Sequence, residues 1–245
     1  TATYTITEDG GGSIDGSNLN VSMTATDNAG NATTTSDSTN ATLDNNSPVV
    51  TDGNISISGA SGTGGAYKVG DTVTATWDNT ASGDNNSDVS TATVDFSQFG
   101  GGASVSASNS SNTWTATYTI TEDGGGSIDN TSRNVSFSVT DDAGNSTTTA
   151  DTTNATVDND SPTVTDGNIS ISGASGTGGA YQVGDTITVS WDNTASGDNN
   201  SDTISTVTAN FSAFGGGSAV SASNSSGTWT ATYTITEDGG GSIDG

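Results

Sequence analysis

The acidic side chains of this chain fall in loops rich in glycine and asparagine, and their spacing suggests metal binding. Asp84, Asn86 and Asp88 alternate with other residues, and the same pattern recurs over residues 198–202. Oxygen donors placed two residues apart resemble the opening of a calcium-binding loop. A polar turn is an equally good interpretation of any single acid in a chain this rich in Asp and Asn. The loops must therefore be considered together.

A second acidic group lies at the end of the segment TATYTITEDGGGSID, which occurs at residues 1–15, 115–129 and 230–244. Glu8, Glu122 and Glu237 are the glutamates of the chain, and all three occupy the same position in this segment. Each precedes an aspartate and three glycines, which allow the backbone to turn sharply. We interpret these residues as candidate ligands, with solvated loop acids copied by duplication as the alternative.

The chain contains no cysteine and no histidine. Thiolate and imidazole metal ligands, disulfides and catalysis by a nucleophile with a histidine base are therefore excluded. The remaining ligands are hard oxygen donors, which suit Ca²⁺. Mg²⁺ is the weaker candidate because it tends to keep its water molecules.

These acids must be positioned by repeated modules, because the copied segments begin 114 and then 115 residues apart. Within the segment, Ala116, Tyr118 and Ile120 alternate with threonines, which predicts a strand with one buried face. The complete repeat has seven such strands, named A to G, and no segment with helical periodicity. They cover residues 55–57, 73–77, 92–96, 105–107, 114–120, 135–139 and 155–157.

Seven short strands in about 110 residues predict an all-β fold of tandem immunoglobulin-like, seven-strand antiparallel β-sandwiches in a linear array. Residues 47–159 form one complete repeat, residues 1–46 supply strands E to G of another, and residues 160–245 supply strands A to E of a third. In the partial first repeat we predict strands over residues 2–6, 21–25 and 41–43. The chain is expected to be a segment of a longer protein.

Alternate loops of such a sandwich lie at the same end of the module. The BC and FG loops of one module should therefore face the EF loop and linker of the preceding one, and close carboxylates repel unless a cation lies between them. We predict Ca²⁺ ligands at both junctions. At the first they are Glu8, Asp9, Asp44, Asp78, Asp84, Asp88, Asp141, Asp142 and Asn145, and at the second Glu122, Asp123, Asp158, Asp160, Asp192, Asp198 and Asp202.

The charge balance limits the partners of this chain. It has 28 acidic residues against two basic ones, for a formal charge of −26. Nucleic acids and anionic membrane surfaces are disfavoured, because both are bound through clustered Lys and Arg. The low apolar content of 28% is typical of disorder, whereas the strand periodicity is not. Both are accommodated by a chain whose fold is only marginally stable until a cation neutralises its carboxylates.

Three stretches carry a resemblance to a known family: AYKVGDTV at residues 66–73, WTATYTI at 114–120 and DDAGN at 141–145. They resemble the tandem bacterial immunoglobulin-like repeats of large surface adhesins, and the similarity extends over nearly the whole chain. The resemblance implies modules that extend a stalk, are often stiffened by calcium between modules, and leave ligand binding to other parts of the protein.

The leading hypothesis is a calcium-rigidified extender at the extracellular cell surface, whose partners are the neighbouring repeats of the same protein. One alternative is a self-assembling filament, in which the strands at one end of the chain complete the module of another copy. A second is a carbohydrate-binding module that uses Trp77 or Trp114. An enzyme is disfavoured because the acids recur in every repeat and no insertion forms a cleft. No membrane insertion is expected in this segment.

Overall fold

Alternation of apolar and polar residues produces β-strands throughout the computed structural model, which describes residues 1–8, 14–122 and 127–237. In the strand Thr72–Asp78, Val73, Ala75 and Trp77 are buried, and the threonines between them are more exposed. Burial of one face is what stabilises a strand of this pattern. The all-β prediction is confirmed over the described residues, and none of their short helical turns is long and apolar enough to cross a bilayer.

The chain divides into two units, residues 1–160 and 161–245. The first unit contains the strands β1 Gly16–Leu19, β2 Ser22–Thr26, β3 Ala32–Ser36, β4 Ala41–Leu43, β5 Ile55–Ser58, β6 Thr72–Asp78, β7 Val89–Asp95, β8 Val105–Ser106, β9 Ser108–Ser110, β10 Thr113–Thr119, β11 Asn130–Arg133, β12 Ser136–Asp141, β13 Ser146–Ala150 and β14 Ala155–Val157. Its 3-10 turns are Asp52–Asn54, Thr63–Gly65 and Ser97–Phe99.

Two four-stranded antiparallel sheets enclose the core of the first unit. One has the order β5-β6-β10-β9 and the other β13-β12-β7-β8. Trp77 from the first sheet and Phe137 from the second are fully buried, with ring centroids 6.4 Å apart. They belong to a single cluster with Val94, Phe96 and other apolar residues of both sheets. The loops at the ends of this sandwich therefore have a rigid base.

The structure differs from the sequence prediction at two strands of the complete repeat. Strand β13 pairs along its whole length with β12, and β11 pairs with β14 in a separate two-stranded sheet. Both were missed because their sequences, STTTA and NTSR, are almost entirely polar. An edge strand such as β13 is hydrogen-bonded on one side and needs few apolar residues. Strand β14 therefore does not follow β12 directly.

The N-terminal part of the first unit forms two small antiparallel pairs, β1 with β4 and β2 with β3. Both strands of the β2-β3 hairpin are exposed along their full length. The strand predicted over residues 2–6 is not formed. Its counterpart β10 is paired on both sides, by β6 and β9, whereas residues 2–6 have no such neighbours in this unit.

The second unit repeats only part of this architecture. Its strands are β15 Ile169–Ser172, β16 Thr186–Asp192, β17 Thr208–Ala209, β18 Val220–Ser221, β19 Ser223–Ser225 and β20 Thr228–Thr234, and its 3-10 turns are Asp166–Asn168, Thr177–Gly179 and Ser212–Phe214. Strands β15-β16-β20-β19 form a four-stranded sheet, and β17 pairs with β18. Ile187, Phe211, Ala231 and Ile235 form its small core.

Candidate metal centre

Three carboxylates from separate parts of the first unit meet at one point. Asp44 follows β4, Asp88 ends the loop between β6 and β7, and Asp141 is the last residue of β12. One oxygen from each lies within 4.8 Å of the others. Calcium ligands lie about 2.3–2.6 Å from the ion, so two oxygens on one ion can be up to about 5 Å apart. The cluster therefore fits around a single Ca²⁺ in both donor type and spacing.

Asp141 is the most constrained of the three. It is only 2% exposed, and its Oδ1 accepts hydrogen bonds from the backbone amides of Ala143, Gly144 and Asn145 at 3.0, 2.7 and 2.8 Å. Gly144 has φ +101°, which glycine adopts readily and which lets the turn close around the carboxylate. The β12-β13 turn thus fixes the position and direction of this acid.

Hydrogen bonds tie the three contributing segments together. The Asn145 side-chain amide donates to the carbonyl of Asn46 in the linker at 3.1 Å. The backbone amide of Asp142 donates to the carbonyl of Asp88 at 2.9 Å. Asn86 completes the connection, because its side chain both accepts from and donates to the backbone of Val49 at 2.8 Å. Linker, β6-β7 loop and β12-β13 turn are therefore held in a fixed arrangement.

The electrostatics of the cluster are unfavourable for three ionised acids. Partial burial and then the negative charges of Asp44, Asp141 and Asp142 raise the pKa of Asp88. With a formal charge of −26 and two basic residues in the chain, few cationic side chains are available to offset this repulsion. A divalent cation offsets it directly, because every carboxylate in the group then faces an opposite charge.

The linker is also held from its other side by the N-terminal part of the unit. Glu8 accepts hydrogen bonds from the Ser47 amide at 2.9 Å and the Ser47 hydroxyl at 2.6 Å. Asp15 accepts from the Asn45 amide at 2.9 Å and the Asn46 side chain at 3.0 Å. The predicted ligand Glu8 thus contacts the linker itself, and Asp15, absent from the predicted ligand set, has a similar role.

Two predicted ligands of the first junction have other partners. Asp84 accepts hydrogen bonds from the Trp77 indole at 2.6 Å, the Thr51 amide at 2.9 Å and the Asn54 side chain at 2.8 Å. Burial opposes ionisation of Asp84, but these bonds outweigh it and lower its pKa. Asp78 accepts from the Thr80 amide at 2.8 Å. Both acids are outside the three-carboxylate cluster and stabilise the β6-β7 loop.

The ligands predicted for the second junction are divided between the two units. In the first unit, Glu122 is the last residue before the gap, and Asp158 accepts from the amide of Asp160 at 3.3 Å. In the second, Asp192 accepts from the Thr194 amide at 2.8 Å. Asp198 repeats the role of Asp84 by binding the Trp191 indole at 2.6 Å. Asp202 lies between β16 and β17, and the predicted ligands Asp9 and Asp123 lie outside the described residues.

Two asparagines that the sequence prediction passed over contribute buried oxygens. Asn45 and Asn159 are 4% and 2% exposed, and the side-chain oxygen of each is buried without a hydrogen-bond partner among the described residues. Each directly follows an acid that was predicted as a ligand, Asp44 or Asp158. Their identical place in the motifs DNNSP and DNDSP was the available signal. A buried unpaired carbonyl oxygen is suited to a hard cation.

Comparison with protein-family models, with curated proteins and with solved structures finds no match for this chain. The functional argument therefore rests on the geometry of the chain itself.

Proposed function

We propose that this chain is a structural extender built of tandem immunoglobulin-like modules and stiffened by Ca²⁺ at the linker, as part of a bacterial cell-surface adhesin. The observation that carries the proposal is the cluster of Asp44, Asp88 and Asp141. One of these acids belongs to the linker and two belong to the module that follows it. An ion bound by all three connects the linker to the module.

The immunoglobulin-like assignment is supported by strand order. Strands β5-β6-β10-β9 correspond to the order A-B-E-D, and β13-β12-β7 correspond to G-F-C, which is the arrangement of an immunoglobulin sandwich. In this assignment the polar strand β13, rather than β14, is strand G. The two tryptophans considered for sugar binding, Trp77 and Trp114, are 0% and 6% exposed. Neither offers a free face for stacking, so the structure does not favour a carbohydrate-binding role.

The stiffening follows from the number of contacts that bending breaks. Rotation of the linker about residues 44–48 moves Asp44 away from Asp88 and Asp141, so the ion loses at least one ligand. The hydrogen bonds from Asn145 to Asn46 and from Val49 to Asn86 break in the same motion. Calcium bound at 100 times its dissociation constant adds about 2.7 kcal/mol to the cost of disrupting the site.

The proposal is tested by small-angle scattering and thermal unfolding of the whole chain in calcium, in magnesium and in EGTA. We expect calcium to raise the melting temperature and the maximum dimension, and magnesium to have a smaller effect. Asp166→Asn is the matched control, because Asp166 is an exposed acid in a 3-10 turn of the second unit. Identical scattering and melting profiles in calcium and EGTA would sink the proposal.

A further inference from the structure

The second unit has an uncovered apolar face. Ile169 is 42% exposed and Val164 57%, whereas their counterparts in the first unit, Ile55 and Val50, are 4% and 7% exposed. Beside them lies a cavity of about 510 Å³, lined by apolar residues of β15, β16, β17 and β20, among them Trp191. A groove of this size and composition is typical of a site that accepts another apolar surface.

The first unit shows what covers this face in a complete module. Strand β12 places Phe137 and Val139, each 0% exposed, over the sheet that contains Trp77. It also pairs with β7, where Phe137 lies opposite Val94. The counterparts of β11 to β14 in the second unit would have numbers above 245, so this chain contains no further residues to supply them.

The effect of the missing strand is visible in its neighbour. In the first unit β7 is a seven-residue strand, paired with β12 on one side and β8 on the other. Its counterpart in the second unit, residues 204–210, forms only the two-residue strand β17, which pairs with β18. The edge that β12 occupies in the first unit is therefore open for strand addition in the second.

The chain carries a hairpin that fits this edge. Strands β2 and β3 are the counterparts of β12 and β13, and they have the same register, because Ser22 pairs with Ser36 as Ser136 pairs with Ala150. The hairpin presents its apolar face to solvent: Val21 is 71% and Met23 79% exposed. The same positions in the first unit's own hairpin are Val135 and Phe137, at 1% and 0%.

We propose that the β2-β3 hairpin of one copy of this chain inserts into the second unit of another copy, so that chains join head to tail. The contacts follow the template of the first unit: Met23 takes the place of Phe137 and pairs with Ala209, and Thr24 pairs with Thr208. The insertion buries the apolar face of the hairpin in the cavity and extends β17 into a longer strand. Because each copy has one hairpin and one open unit, the assembly is a chain that does not close.

The assembly is measured by light scattering after size-exclusion chromatography of the 245-residue chain over a range of concentrations. Salt of about 0.3 M limits repulsion between these acidic molecules. We expect the mean mass to increase with concentration. Met23→Asp should weaken association at least about tenfold, because insertion would bury a carboxylate. Thr24→Asp adds the same charge to the opposite face of the strand and should weaken it far less.

A covalent trap tests the register, because the chain has no cysteine of its own. Chains carrying Thr24→Cys and Thr208→Cys, mixed under oxidising conditions, should form a disulfide-linked dimer in high yield. Ser223→Cys, on the other sheet of the second unit, replaces Thr208→Cys in the control and should not. Equal yields from the two mixtures would show nonspecific aggregation and overturn the proposal.

A self-completed chain separates a second copy from other occupants. Residues 131–160 appended after Gly245 supply the missing strands within the same molecule, and this variant should remain monomeric at concentrations where the original chain associates. Association that persists in the completed variant would overturn insertion at this face. A strictly monomeric original chain that gives no mixed disulfide would overturn it as well.

Discussion

Replacing Asp88 by asparagine is expected to reverse its effect on stability when calcium is added. The substitution keeps the size and one side-chain oxygen while removing one of three clustered charges. Asp88 is the acid whose pKa is raised, by burial and then by Asp44, Asp141 and Asp142. Without a cation its negative charge therefore opposes folding, and with one it becomes a ligand.

The size of the effect without calcium follows from the distances. Carboxylate oxygens within 4.8 Å of one another repel by about 0.9 kcal/mol at the dielectric constant of water and about 3.5 kcal/mol at an effective value of 20. Asp88 takes part in two of the three pairs. Because Asp44 is partly exposed, solvent and salt screening place each pair near the lower value, about 1 kcal/mol. In EGTA the variant should therefore be more stable by about 2 kcal/mol.

Calcium should invert this order. At a concentration a thousandfold above its dissociation constant, calcium stabilises the unsubstituted chain by about 4.1 kcal/mol. A variant that binds a hundredfold more weakly, after losing a charged ligand, gains only about 1.4 kcal/mol. Its advantage of about 2 kcal/mol in EGTA is thereby replaced by a deficit of somewhat under 1 kcal/mol.

The assay is urea unfolding at pH 7, followed by tryptophan fluorescence, in EGTA and in saturating calcium. Asp166→Asn removes the same charge outside the cluster and should shift both curves equally and slightly. The electrostatic reasoning is refuted if Asp88→Asn changes the free energy of unfolding by the same amount and sign in both conditions.

Three further predictions concern the first unit. Phe137→Ala should lower the free energy of unfolding by about 3–5 kcal/mol, whereas Met23→Ala, its exposed counterpart in dilute monomer, should change it by less than about 0.5 kcal/mol; both are measured by urea unfolding. Asp84→Ala should cost about 3 kcal/mol, because it leaves the fully buried Trp77 indole without its acceptor, and Asp84→Asn should cost less; a negligible loss from the alanine variant would contradict this assignment. Asp71 has a pKa lowered from 3.8: burial opposes the shift, and hydrogen bonds from Ser61 and Lys68 outweigh burial. Its contribution is therefore complete above 3.8 and is lost as the pH falls through the lower folded-state value, so the stability difference between the chain and Asp71→Asn should narrow in acid titrations.

Several features of the fold could be predicted from the sequence because they depend on local periodicity. Alternating Val73, Ala75 and Trp77 can bury their side chains together only in a strand, and the copied segments require repeated modules. The polar strand β13 could not be predicted in this way. Its position at a sheet edge depends on the neighbouring strand β12, and its own residues carry almost no apolar signal.

The sequence by itself determined that the metal ligands, if present, are oxygens, because the chain has neither histidine nor cysteine. It also determined which loops carry those oxygens. Only the tertiary structure decided which acids meet: it brings Asp44 and Asp88 to Asp141, and it assigns the equally acidic Asp84 to the Trp77 indole. The physical reason is that a carboxylate's function depends on the donors and charges within a few ångströms. Those neighbours come from residues far apart along the chain, where spacing in the sequence carries no information about distance.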